Sequence, residues 1–179
     1  MTDRRILFFP RIIAVIIPQR RLNTLQKHFT VSCYIVHQST KTVLLVHHKI
    51  LNLWMGPGGH RDEREGIEEA LVREILEETG IRNVRFLTKK HHLNLGRSRE
   101  ERIPNFIEIH PIPKDRTVER LHEHINLVYY ATSQSKKVKV KDDEHHGIGW
   151  FTYKEAKKLP IDASSLYHIK QAIKLAIIS

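Results

Sequence analysis

Residues 56–81 read GPGGHRDEREGIEEALVREILEETGI, and this stretch limits the fold of the chain more than any other. Pro57 among Gly56, Gly58 and Gly59 breaks regular structure, and glycine lets backbone groups come close to a ligand. From Ile67 the pattern turns helical. Ile67, Leu71 and Ile75 recur every fourth residue, Val72 and Leu76 widen the apolar stripe, and Gly80 stands where a C-terminal cap belongs. Glu74, Glu77 and Glu78 then share one helix face beside that stripe. Like charges at this spacing repel by roughly 0.2–0.5 kcal/mol per pair. Such a face is poor for stability unless something positive sits against it, and a hard divalent cation such as Mg²⁺, which prefers oxygen ligands, fits.

The flanking sequence predicts a layered domain. Residues 29–36, FTVSCYIV, and 41–48, KTVLLVHH, read as two strands of a hairpin joined by a turn at 38–40. A further strand is expected over 84–95, a charged loop over 96–104, a proline-ended strand over 105–113 and a strand over 124–132. A basic segment, an acidic loop at 142–144 and a strand around Trp150 follow. Residues 163–178 form an amphipathic helix. Strands interleaved with two helices give a mixed α/β, α+β-type domain.

The helix also carries a family resemblance. Gly59, Glu65, Arg73, Glu74, Ile75, Glu77, Glu78, Gly80 and Ile81 stand at every spacing of the Nudix signature, so the chain resembles the Nudix hydrolases. The likeness is looser from Phe29 to about Lys158 and does not cover the first 28 residues. It implies the Nudix fold, a mixed β-sheet sandwiched between α-helices, in a domain over residues 29–179. It also implies a pyrophosphohydrolase cleaving a nucleoside diphosphate linked to another moiety, with Mg²⁺ as cofactor and Mn²⁺ as its substitute. By that resemblance Glu74, Glu77 and Glu78 look like the metal ligands, helped by the backbone carbonyl of Gly58, while Glu65 and Arg73 brace the loop against the helix. Glu144, ahead of Trp150, best matches an additional acidic residue that family members often supply, with Asp142 and Asp143 as rivals. The water that attacks phosphorus would lose its proton to Glu78 or Glu144.

Composition bounds the setting. The chain has 179 residues, 40% of them hydrophobic, enough for a sizeable core. Its single cysteine, Cys33, excludes an internal disulfide framework, lies in an apolar run and reads as a core residue. A reducing, cytoplasmic location is the expectation. The net charge of +10 is spread along the chain and favours anionic partners, but no aromatic-interleaved basic stripe points to specific nucleic-acid recognition. Residues 1–28 form an extension whose longest uninterrupted apolar run, 12–17, is far short of the ~20 residues needed to span a bilayer. It reads as a docked strand or helix, a membrane-surface anchor, or the product of an upstream start.

Substrate is less legible. His60 in the loop, Trp54, His122 and Tyr130 are the candidate substrate-binding residues. His122 and His124 share a strand face, whereas the adjacent pairs His47–His48, His91–His92 and His145–His146 point to opposite faces and chelate poorly. Markers of ADP-ribose, diadenosine polyphosphate and NADH subfamilies are missing after the box. A nucleoside triphosphate or small nucleotide sugar is left as the expected small-molecule partner, and a homodimer is compatible with the sequence. The competing readings are a nucleotide-sensing regulatory module, an RNA 5′-end pyrophosphohydrolase and an isomerase on the same fold. The intact glutamates weigh against the sensor.

Overall fold

β3 (Lys27–His37) is apolar in nearly continuous sequence because both of its faces are covered. The structure, a computed structural model, describes residues 25–93, 96–113, 120–139 and 145–179 with their side chains, and 4–9 and 12–18 as backbone only. β3 pairs in parallel with β9 (His122–Ser133) from Lys27↔Glu123 to His37↔Ser133. β4 (Thr42–His48) returns antiparallel beside β3, and β10 (His145–Phe151) pairs with β4. Short strands extend the sheet: β5 (Leu53–Met55) on β4, β6 (Gly58–His60) on β3, and β7 (Arg85–Phe86) and β8 (Phe106–Ile112) on β9. Pro111 is tolerated within β8 because that strand pairs only with β9 among the described residues.

Alternation along β3 divides the core. Val31, Cys33 and Ile35 point to one face, where they pack with Leu71 and Ile75 of α1 (Ile67–Thr79). Tyr34 and Val36 point to the other, against Ile169, Ala172 and Ala176 of α3 (Ala163–Ile178). The result is the mixed sheet between helices that the sequence implied. α2 (Tyr153–Ala156) is a single turn capped by Thr152, whose hydroxyl accepts from the Glu155 N–H. Burial pushes the Cys33 thiol pKa up, in keeping with a core residue.

Three expectations change. The glycine-rich loop is not devoid of regular structure, because Gly58–His60 joins the sheet as β6. The strand expected over 84–95 shrinks to Arg85–Phe86; beyond it the chain is irregular up to His92, whose φ is 57°. Val72 and Leu76 do not widen the buried stripe, being 45% and 37% exposed. Within residues 1–28, β1 (Arg4–Phe9) and β2 (Ile12–Pro18) form an antiparallel hairpin in a sheet of their own. Among the described residues no helix is long and apolar enough to cross a membrane.

Helix α1 is held at both ends. Gly80 takes φ 71°, and its N–H closes on the Leu76 carbonyl at 2.9 Å. At the start, the Glu101 carboxylate accepts from the Glu68 N–H at 3.0 Å, so the charged loop predicted at 96–104 caps the helix. Arg102 adds two hydrogen bonds to Glu68. Leu71→Ala should cost about 2–5 kcal/mol, because a fully buried side chain is lost. Leu76→Ala should cost less than about 1 kcal/mol. Urea denaturation of both variants measures the contrast, and equal losses would contradict the burial described here.

Candidate active site

Three glutamates of α1, Glu74, Glu77 and Glu78, differ in their surroundings. Glu74 and Glu78 are 8% and 3% exposed, whereas the Glu77 side chain is 43% exposed. The buried pair faces the glycine strand. A Cβ on Gly59 would lie 2.5 Å from Glu74 Oε1, so a side chain there would displace that carboxylate from its position. A Cβ on Gly58 would lie 2.0 Å from the Val31 carbonyl oxygen, which would break the pairing of β6 with β3. The Gly58 N–H donates to Glu78 Oε2 at 2.8 Å. The adjacent glycines therefore have separate tasks: one admits strand pairing, the other admits a carboxylate.

Arg73 closes the arrangement. Its Nε and Nη2 donate to the two Glu65 oxygens at 3.0 and 2.6 Å, a bidentate pair. Nη2 also donates to the His60 carbonyl at 2.9 Å, and Nη1 donates to Glu74 Oε1 at 2.8 Å. Glu77 Oε2 lies 3.5 Å from Nη1. The Glu65 carboxylate accepts in turn from the Asp62 N–H, and Arg61 bonds the Glu65 carbonyl. One guanidinium thus joins the loop, the strand and the helix. Its hydrogen bonds hold Glu65 below the usual carboxylate pKa and push its own pKa up.

Glu74 goes the other way. Burial first, and the charge of Glu78 second, push its pKa up to about 7 despite the opposing pull of Arg73. Two acidic groups buried side by side, one of them reluctant to ionise, form a site short of positive charge. That donor set fits a hard divalent ion. Glu74, Glu77 and Glu78 are the described residues that would hold it.

The sequence reading missed His145. It is buried, and its Nε2 lies 3.1 Å from Glu78 Oε1. Its Nδ1 is buried with no hydrogen-bond partner. Its place next to Glu144 was the available signal, but the pair rule for His145–His146 hid it, since only one of the two needs to face the site. Glu144, Asp142 and Asp143 lie outside the described residues.

The other candidates scatter. Tyr130 is in the core on the α3 face, where its hydroxyl bonds His168 Nδ1 at 2.8 Å. Trp54 stacks on His47 with ring centroids 5.1 Å apart and meets Phe151 edge-on. His60 and His122 come together with His124, with their rings on the sheet face opposite α1. Beside Glu77 runs an open groove of about 1370 Å³, lined among others by Arg82, Arg85, Lys137 and Lys139.

Comparison with known proteins agrees with this geometry. A NUDIX domain family model matches residues 26–172. The chain is 54% identical over 46 residues to "Putative 8-oxo-dGTP diphosphatase" of Bacillus subtilis (strain 168), covering 26% of this chain and 31% of that protein. It is 42% identical over 48 residues to human "Nucleoside diphosphate-linked moiety X motif 6", covering 26% of this chain and 15% of that one. Both matches thus span less than a third of the curated relative. The fold is similar to the crystal structure of a NUDIX family hydrolase from Clostridium perfringens, with a TM-score of 0.70 and 29% identity over 84% of this chain and 99% of that one.

The Glu74 shift has a consequence for the metal-free protein. Folded Glu74 keeps its proton up to about 7, while the unfolded chain releases it near 4.5. Between these values the folded state binds the extra proton, so this group's contribution to stability falls as pH rises through that window. Glu74→Gln removes the effect. In EDTA, the variant should gain on the wild type across the window, by up to about 3 kcal/mol above it. Parallel stability curves from urea titrations would show that Glu74 ionises normally.

Proposed function

The chain belongs to the Nudix family, and on that premise we propose that it is a Mg²⁺-dependent pyrophosphohydrolase. Its substrate is a nucleoside triphosphate or a similar nucleoside diphosphate derivative. The observation that carries this reading is the burial of Glu74 and Glu78 against glycine backbone, with Arg73 tying the loop to the helix. Such a cluster is costly unless a cation completes it.

In this reading Glu74, Glu77 and Glu78, with the Gly58 carbonyl, would hold the ion, which when bound would supply neutralisation of phosphate charge and assistance to displacement at phosphorus. The chain's own residues position and move the proton. Glu78, fixed by the Gly58 N–H and His145, accepts a proton from the water as its oxygen bonds to phosphorus and the bridging P–O bond breaks. Glu144 is the second carboxylate for that role. Arg73 and Glu65 keep the loop in register with the helix, so that orientation rather than covalent chemistry carries the rate. The cations along the groove beside Glu77 suit a polyphosphate. The name of the Bacillus subtilis relative supports a nucleoside triphosphate. The same groove gives a second reading, the 5′ end of an RNA.

The test is phosphate and pyrophosphate release from nucleoside triphosphates including 8-oxo-dGTP, nucleotide sugars, ADP-ribose, dinucleoside polyphosphates and 5′-triphosphorylated RNA. Hydrolysis of one class with Mg²⁺, abolished by EDTA, is expected. Glu78→Gln should lower kcat by at least about 100-fold with an unchanged circular dichroism spectrum. Tight binding without turnover anywhere in the panel would overturn the enzyme reading in favour of a sensor. Salt-sensitive turnover of RNA alone would select the second reading.

A further inference from the structure

On the sheet face opposite α1, three strands bring histidines together. His28 lies on β3, His60 on β6, and His122 and His124 on β9. Register explains the meeting. His28 pairs with His124 across the parallel ladder, and Thr30, two residues on, pairs with His60 across the other side of β3. One ring nitrogen each from His60, His122 and His124 lie within 4.8 Å of one another. The His60 and His124 ring centroids are 4.6 Å apart, and His28 stands 5.2 Å from His122 and 5.5 Å from His60.

The protonation pattern is directional. His122 is fully buried, and its Nδ1 lies 2.9 Å from the Arg120 carbonyl oxygen. A carbonyl only accepts, so Nδ1 carries the proton, and in the neutral ring the Nε2 lone pair is left facing the cluster. That Nε2 is 2.9 Å from His124 Nε2. His28 Nε2 is buried with no hydrogen-bond partner. An imidazole whose far nitrogen is fixed by a backbone carbonyl is the usual orientation of a metal-binding histidine.

We infer that His60, His122 and His124, with His28 beside them, bind a divalent transition-metal ion of the imidazole-preferring class, Zn²⁺ in the first place. Nitrogen-only ligands suit Zn²⁺, Ni²⁺ or Co²⁺ and disfavour Mg²⁺, which takes oxygen. Zn–N bonds of about 2.0–2.1 Å at tetrahedral angles put ligand nitrogens about 3.3 Å apart. The 2.9 Å pair and the 4.8 Å limit bracket that spacing, so small side-chain rotations close the site. The site is distinct from the glutamate cluster but shares one residue's backbone with it. The His60 carbonyl accepts from Arg73, while its ring turns to the histidines. Metal here staples β6, which carries the glycines of the carboxylate site, to β9.

Purified full-length protein, stripped with EDTA and then held in excess Mg²⁺ to occupy the carboxylates, is titrated with Co²⁺. The expected result is one equivalent bound, with the intense visible absorption of four-coordinate Co²⁺. Affinity should fall at least tenfold in His124→Ala and in His60→Ala, and should be retained in Glu78→Gln. Zn²⁺ at a hundredfold excess over its Kd should raise the wild-type Tm by about 5–10 °C. Weak octahedral absorption, or loss in Glu78→Gln with retention in His124→Ala, would overturn the inference. Should the histidine variants fail to fold, X-ray absorption on Zn²⁺-loaded wild type in excess Mg²⁺ decides. A shell of at least three imidazole nitrogens supports the site, and an oxygen-only shell refutes it.

Discussion

Two carboxylates are buried beside each other with one guanidinium between them and the loop, and the rest of the site depends on that contact. Taking a charge out of water is expensive, and an uncompensated buried pair would unfold the region or stay protonated. Here the balance comes from three local sources. Arg73 bonds Glu74 and Glu65 together, Gly58 gives Glu78 a backbone N–H, and Gly59 removes the side chain that would push Glu74 aside. The compensation is partial, since Glu74 still has its pKa raised to about 7. A site left electrostatically short in this way is poised for a cation that the polypeptide does not itself supply.

The parallel pair of β3 and β9 gives the protein a platform with two chemically different faces. Towards α1 it offers a dry apolar layer that fixes the helix carrying the glutamates. Towards α3 the layer is apolar only at one end. Beyond Tyr34 and Val128 it becomes polar, through Ser32, Thr30 and Asn126 to His28, His122 and His124. Glu108 on β8 anchors this polar side. Burial opposes its ionisation, but His110 and His168, whose Nε2 atoms lie 2.9 and 3.2 Å from its Oε1, and a hydrogen bond from Ser164 outweigh it and hold the carboxyl well below its usual range. His168 in turn takes the Tyr130 hydroxyl as partner, which is why a tyrosine that sequence alone made a substrate-contact candidate is structural wiring between β9 and α3.

Much of the fold was legible because the signals were local. Near-continuous β-branched and aromatic runs marked β3 and β4, the four-residue recurrence of Ile67, Leu71 and Ile75 marked α1, and Gly80 marked its end. Errors fell where tertiary partners outweigh propensity. Val72 and Leu76 look apolar enough to be core, but the helix has only one covered face. Residues 84–95 look strand-like, but β9 offers β7 only a two-residue pairing there. Gly58 and Gly59 look like loop residues, yet β3 recruits them because backbone hydrogen bonds do not depend on side chains.

The sequence by itself determined that three glutamates share a helix face, with Arg73 next to them in the chain, behind a glycine-rich turn, because helical periodicity is a property of consecutive residues. It also placed His122 and His124 on one face of one strand. Only the tertiary structure decided which glutamates are buried, that His145 reaches Glu78, and that His28 and His60 arrive beside His122 and His124. Those outcomes depend on strand register and on the packing of α1 against the sheet. Both are set by contacts between residues tens of positions apart, where no local pattern carries the information.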